Sequence, residues 1–132
     1  MAAPKEIEKL VAEFERDQNF YKSSQFNETE LRTRFINPLI KALGWDVYHE
    51  LPCRADQHEV KEEDSVEVEG KIKNPDYSFR LFDSSLGSMK RKFFVEVKRP
   101  SVNIEAGAYP AFQIRRYAWS ADLPISILTD FE

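Results

Sequence analysis

Residues 92–100 read KFFVEVKRP, a short apolar run interrupted by a Glu and a Lys two positions apart. A period of two is the signature of a β-strand, on which successive side chains point to opposite faces. Phe93, Val95 and Val97 are therefore expected to face a core. Glu96 and Lys98 share the other, polar face, with Cα atoms roughly 6 to 7 Å apart. One strand upstream, Pro75 and Asp76 open a second alternating run, with Tyr77, Phe79 and Leu81 expected inward and Asp76, Ser78 and Arg80 outward. If the two strands are neighbours, Asp76 comes to sit beside Glu96.

That juxtaposition carries a specific chemistry. Magnesium is a hard cation that takes oxygen ligands at about 2.0 to 2.1 Å and keeps several waters, so one or two carboxylates and a substrate phosphate satisfy it. Asp76 and Glu96 are the expected metal ligands. Lys98, a compact point charge beside them, can orient a water and stabilise charge building on phosphorane oxygens. The metal activates the attacking water and neutralises the leaving group. Each half of the pattern has an ordinary explanation: Glu-x-Lys is common on wet strand faces, and Asp after Pro is a common strand start or turn. The order of elements around the pair is what separates it from that background.

Ile7, Leu10, Val11 and Phe14 recur at helical spacing, which predicts an amphipathic helix from Glu6 to about Tyr21. Asn27 is a good N-cap, and Glu30 stands where a capping box places its acid. Leu31, Phe35, Ile36, Leu39, Ile40 and Leu43 then form a buried stripe that ends at Gly44, with a kink expected at Pro38, which has no N–H for the carbonyl of Arg34. Residues 45–51 are expected to form a first strand, and 54–70, polar and acidic, a loop or irregular hairpin. Strands follow at 76–82 and 91–99, joined by the turn-rich DSSLGS. Pro110 opens a helix to about Ser120, and residues 125–129 form a last strand.

With 132 residues, two Trp, five Tyr and ten Phe, the chain can bury one core. The expectation is a single domain over 1–132, with an N-terminal helix in 1–23 and the main body in 27–132. No signal-peptide core or bilayer-length apolar run is present and Cys53 is alone, so a cytoplasmic, reduced protein with no membrane association is expected. The net charge is −4, yet its distribution is uneven: acids crowd into 59–69, while Lys90, Arg91, Lys92, Lys98, Arg99, Arg115 and Arg116 gather near the proposed site. Local basic groups of this kind can contact phosphates despite an acidic total. His49, His58 and Cys53 are not at zinc-ligand spacing, and there is no phosphate loop and no nucleophile elbow.

The αβββαβ order, with PD at the second strand and E-x-K in the third, resembles the PD-(D/E)XK nucleases. The segments NETELRTRFINPLIKALGWDV, PDYSF, FFVEVKRP and QIRRYAWSADLPISILTDFE together resemble the N-terminal nuclease domain of type IIG restriction-modification enzymes, related to the N-terminal domains of type I restriction subunits. The likeness covers residues 27–132. It implies an α/β fold with a restriction-endonuclease-like αβββαβ core, a mixed central sheet flanked by helices, and an extra N-terminal helix. It implies that Asp76 and Glu96 bind Mg2+, with Mn2+ as a substitute, and that Lys98 assists the attacking water. Glu28, in NETELR, matches the helix glutamate that completes such sites; an acid in a first helical turn also offsets the helix dipole.

Gln113 and Tyr117 match a QxxxY motif also found in RecB-like nucleases, and four residues apart on a helix they share a face. Gln113 is implied at the metal site or a DNA phosphate. Tyr117, Arg115, Arg116 and Arg99 are implied DNA contacts, although a buried Tyr and solvated Arg side chains account for them as well. The resemblance further implies double-stranded DNA as substrate, a transient dimer for double-strand cutting, and a longer parent chain carrying methyltransferase and target-recognition domains, for which alone S-adenosylmethionine would serve. Two alternatives stay open: a type I subunit in which an ATP-driven translocase follows, and a non-catalytic DNA-binding or interaction module on the same fold.

Overall fold

The computed structural model describes residues 3–105 and 109–132. Its centre is a four-stranded sheet in the order β1-β4-β5-β6, built from β1 (Val60–Glu62), β4 (Tyr77–Asp83), β5 (Ser88–Val97) and β6 (Ile125–Thr129). β1 with β4 and β4 with β5 pair antiparallel, and β6 pairs parallel to β5, so the sheet is mixed. A separate hairpin, β2 (Val66–Val68) and β3 (Lys71–Lys73), is inserted between β1 and β4. This is a mixed α/β arrangement compatible with the restriction-endonuclease-like core expected. No helix among the described residues is long and apolar enough to cross a membrane.

Both faces of the sheet are covered. One packs on the helical layer formed by α1 (Lys5–Arg16), α2 (Gln18–Tyr21), α3 (Glu28–Leu31) and α4 (Asn37–Ala42). There Tyr77, Phe79, Val95 and Val97 meet Leu31, Phe35, Ile36 and Ile40, as the alternation predicts. Phe35 is fully buried, its ring 4.9 Å from Tyr21 and 4.8 Å from Phe131. The other face carries Phe94 under Ile114, Tyr117 and Ala118 of α5 (Tyr109–Ser120), together with Val66 and Val68 of the hairpin. The expected wet face is thus a second interior: Ser78 and Phe94 are fully buried and Glu96 is 6% exposed.

Several expected elements are corrected. Residues 45–51 form no strand, because after Gly44 (φ +98°) the Asp46 carboxylate accepts the backbone N–H groups of Glu50 and Leu51 at 2.8 and 3.0 Å and curls the segment into a turn. The first strand lies instead inside the acidic stretch read as a loop or irregular hairpin, where Val60 pairs with Phe79 and is fully buried. Leu81, expected inward, is 44% exposed and its neighbour Phe82 is 53% exposed: the β4–β5 register shifts between Phe79 and Arg80, and beyond that point β4 leaves the core. The first helix breaks at Asp17 (φ −114°, ψ 30°) and resumes as α2. β5 ends at Val97, so Lys98 and Arg99 lie just beyond it.

The helical stretch from Glu28 to Ala42 begins as expected, with Asn27 Oδ1 accepting the Glu30 N–H at 2.8 Å. Its interior does not simply kink. Residues Arg32–Ile36 form a π-turn in which the Asn37 N–H bonds the Arg32 carbonyl, five positions back. The widened turn sits immediately before Pro38, which has no N–H with which to continue an α-helical ladder.

Asp64 is a buried carboxylate at the foot of the hairpin, bonded by Arg91 Nε at 2.7 Å with Lys61 at 3.7 Å. Burial works to raise its pKa, but the Arg91 hydrogen bond and charge outweigh it and hold the carboxyl below its ordinary value. The stability it contributes is present above the unfolded-state pKa and is lost as pH falls through the lower folded one. The two partners differ in exposure, 7% for the Asp64 side chain and 37% for that of Arg91. Removing the arginine strands a buried charge, whereas removing the acid leaves a cation with access to water. Arg91→Ala is expected to cost about 3 kcal/mol and Asp64→Ala distinctly less, as read from urea unfolding at pH 7. An equal or larger loss for Asp64→Ala would show that the charge is not desolvated.

Candidate metal centre

The β4–β5 register sets Tyr77 opposite Val95. One position further on, at the end of the sheet where β4 begins and β5 finishes, Asp76 faces Glu96. Pro75, fully buried, leads into this point. The Asp76 backbone N–H donates to Glu96 Oε2 at 3.4 Å, and Asp76 Oδ2 accepts the Val97 N–H at 2.7 Å. Glu28, in the first turn of α3, comes in from the helical layer. One carboxylate oxygen from each of Glu28, Asp76 and Glu96 lies within 4.8 Å of the other two. Among the described residues no other group of three His, Cys, Asp or Glu side chains comes this close.

Carboxyls crowded together with this little solvent resist ionisation, and two of the group show it. Burial, and then the charge of Asp76, pushes Glu96 from an ordinary 4.5 up to about 8, while Lys98 acts the other way. Glu28 is raised for the same reasons in the same order, opposed by Lys98, Arg32 and Arg99. Lys98 and Arg99 are therefore close enough for their charges to act on the acids. The Lys98 N–H is fixed by the Thr129 carbonyl at 3.0 Å, which extends the β5–β6 ladder one residue past the strand.

On α5, Gln113 Nε2 donates to the Tyr117 hydroxyl at 2.8 Å, so the two share a face as their spacing predicts. Burial raises the Tyr117 pKa, and the Glu96 charge adds to it. Gln113 Oε1 is buried without a hydrogen-bond partner among the described residues. Arg115 and Arg116 stand apart from the acids, in a groove with Phe112, Trp119 and Ile125. Arg116 is held by Glu69 of the hairpin at 2.5 Å. The ring of His49 stacks on that of His58 at 3.8 Å, and Cys53 Sγ lies 3.4 Å from His58 Nδ1. Sequence spacing did not bring these three together.

Arg32 is the neighbour that motif reading passed over. Its Nη1 lies 3.5 Å from Asp76 Oδ1, and its Nη2 donates to the Asp76 carbonyl at 3.3 Å. The available signal was its place four residues after Glu28, on the same side of a helix.

The donor set is three hard carboxylate oxygens with no thiolate or imidazole, which suits a cation of the Mg2+ or Mn2+ type and not a softer one. The raised carboxyls are those of a cluster short of positive charge, and Gln113 Oε1 is an unpaired buried carbonyl nearby in the fold. The residues present therefore fit a divalent ion.

A curated protein matches nearly the whole chain. The type II restriction enzyme and methyltransferase RM.Eco57I of Escherichia coli is 39% identical over 129 residues, a span that covers 96% of this chain and 12% of that protein. The chain thus corresponds to about an eighth of the length of that larger relative. No protein-family model matches the chain, and no solved structure matches it.

The raised Glu96 carboxyl sets a pH dependence. Between 4.5 and about 8 the unfolded chain has released this proton while the folded protein keeps it, so stability is full at low pH and declines as pH rises through that window. Glu96→Gln cannot ionise and should make the decline shallower, leaving the part that the raised Glu28 carboxyl contributes. Its thermal midpoint in EDTA should match the parent near pH 5 and exceed it by about 5 °C at pH 8. Midpoints that run parallel across pH 5 to 8 would exclude a buried, crowded Glu96.

Proposed function

We propose that this chain is a Mg2+-dependent DNA endonuclease domain of the PD-(D/E)XK kind, from a restriction-modification enzyme of the type IIG pattern. The observation that carries the reading is the convergence of Glu28, Asp76 and Glu96 from three separate elements, with the Lys98 charge beside them. The similarity to a type II restriction enzyme and methyltransferase supports it, and favours that parent over a translocase-bearing type I subunit.

In this reading Asp76 and Glu96 hold the metal and Glu28 completes the site. The bound ion supplies Lewis-acid activation of water and charge neutralisation at the phosphate. Lys98 orients the attacking water and stabilises charge on the non-bridging phosphate oxygens. Gln113 would offer its unpaired carbonyl to a hydrogen-bond donor at the metal site or beside the phosphate, with Tyr117 holding its amide end. Arg99 supplies a phosphate contact close to the acids, and Arg115 a more distant one. Arg116 can do so only by leaving Glu69. Hydrolysis proceeds by direct attack of water with no covalent enzyme intermediate. Residues 27–132 form the nuclease body and 1–23 its N-terminal helical extension. Target recognition and methylation, with S-adenosylmethionine, belong to other regions of a longer protein, and double-strand cutting pairs two copies on double-stranded DNA.

Two measurements test this. Calorimetric titration with Mn2+ should give a site in the parent chain that Asp76→Asn and Glu96→Gln remove. On supercoiled plasmid with Mg2+, Asp76→Asn, Glu96→Gln and Lys98→Ala should each lower the cleavage rate by at least about 100-fold. Lys98→Ala should do so with metal binding retained. Undiminished cutting by any folded variant of the three, tested in the full-length protein, would overturn the assignment, and metal binding without cleavage by the unsubstituted full-length protein would favour a DNA-binding module.

A further inference from the structure

Arg32 stands at the back of the carboxylate cluster, in the π-turn, with a side chain only 15% exposed. Nε donates to the Tyr77 hydroxyl at 3.3 Å, Nη2 to the Asp76 carbonyl at 3.3 Å, and Nη1 lies 3.5 Å from Asp76 Oδ1. The guanidinium also covers the Tyr77 ring, its Cζ 4.8 Å from the centroid. The Tyr77 hydroxyl in turn donates to Asn37 Oδ1, so both ends of the π-turn grip the same residue of β4. More remote are Glu62 and Glu63, at 3.8 and 3.9 Å.

These contacts exceed what is needed to anchor a helix on a sheet. The two oxygens of Asp76 meet different partners: Oδ2 accepts the Val97 N–H, and Oδ1 lies in ion-pair range of Arg32, whose Nη2 is held by the Asp76 carbonyl. A carboxylate oxygen has two lone pairs, so each can accept one of these donors and still face a cation. With Oδ2 hydrogen-bonded and Oδ1 drawn toward the guanidinium, rotation of the carboxylate about its last torsion is disfavoured. The guanidinium also offsets part of the negative charge that Asp76, Glu96 and Glu28 bring together.

We infer that Arg32 is a positioning residue for the metal centre: its fork fixes the orientation in which Asp76 presents an oxygen to the divalent ion. The inference rests on the metal-site reading proposed above and adds to it a residue that touches neither the ion nor the substrate. An ammonium group could supply the charge but not the geometry, because one lysine nitrogen cannot span a carbonyl, a carboxylate and a phenol at once in a fixed plane. Lysine and glutamine replacements therefore both lose the fork, and only one of them keeps the charge.

The experiment is calorimetric titration of the chain with Mn2+ for the parent, Arg32→Lys, Arg32→Gln and Asp76→Asn, with each thermal midpoint measured in EDTA. Groups that orient a metal ligand typically contribute 10- to 100-fold in metal affinity. Both Arg32 variants should bind one Mn2+ at least about tenfold more weakly than the parent, and Asp76→Asn should lose the site. A purely structural Arg32 would lower the midpoint and leave the affinity of the folded variant unchanged. Parent-like Mn2+ affinity in folded Arg32→Lys overturns the inference while Asp76→Asn still identifies the site, and this variant decides if Arg32→Gln does not fold. Parent-like binding by Asp76→Asn instead removes the metal centre itself, and with it the role given to Arg32.

Discussion

The hydrogen bond from the Val97 N–H to Asp76 Oδ2 joins the first turn into β4 to the last residue of β5, and much of the structure depends on it. It closes the sheet at the end where the acids meet and keeps Asp76 opposite Glu96 across an antiparallel pair. The parallel strand β6 reaches the same end, where Thr129 receives the Lys98 N–H. Glu28 needs only one helical turn aimed at this corner. Asp76, Glu96 and Lys98 thus acquire their positions from backbone pairing, which tolerates little local adjustment, and not from flexible loops.

The covering of both sheet faces gives that corner its electrostatic character. Had the Glu96 face been wet, its carboxyl would ionise freely and the cluster would be an ordinary acidic surface. Beneath α5 and the β2–β3 hairpin, Phe94 and Glu96 share an interior, and the second carboxylate becomes costly to charge. The polypeptide is least comfortable at the place where its proposed chemistry happens, a common relation between stability and function. A divalent ion answers that tension directly, since it supplies the positive charge that the protein itself only partly provides through Lys98, Arg99 and Arg32.

Sequence pattern disclosed the parts of this design that depend on local period. The alternation in 93–98, the cap at Asn27 and the four-residue spacing of Gln113 and Tyr117 each report a geometry that neighbours along the chain determine. What it concealed depends on distant partners or on one-residue exceptions. β1 has three residues, too few for alternation to register, and exists because Val60 finds Phe79. Residues 45–51 look like a strand until the Asp46 carboxylate is seen to bind two amides further on. Leu81 and Phe82 are both left exposed beyond a register shift that nothing in YSFRLFD announces. The grip of Arg32 on Asp76 spans 44 positions and that of Glu69 on Arg116 spans 47, distances at which spacing carries no information.

The π-turn at Arg32–Ile36 also changes what one helical rod can do. An α-helix advances about 100° per residue, so a single inserted residue re-indexes everything that follows it by that angle. Upstream of the insertion, Glu28 and Arg32 are phased toward the sheet corner. Leu31 before the insertion, Phe35 and Ile36 within it and Ile40 after it all reach the same interior. The widened turn keeps this buried stripe continuous across the point where the α-helical ladder is interrupted before Pro38. A one-residue deletion within it would swing either Glu28, Leu31 and Arg32 or Ile40 away from their neighbours.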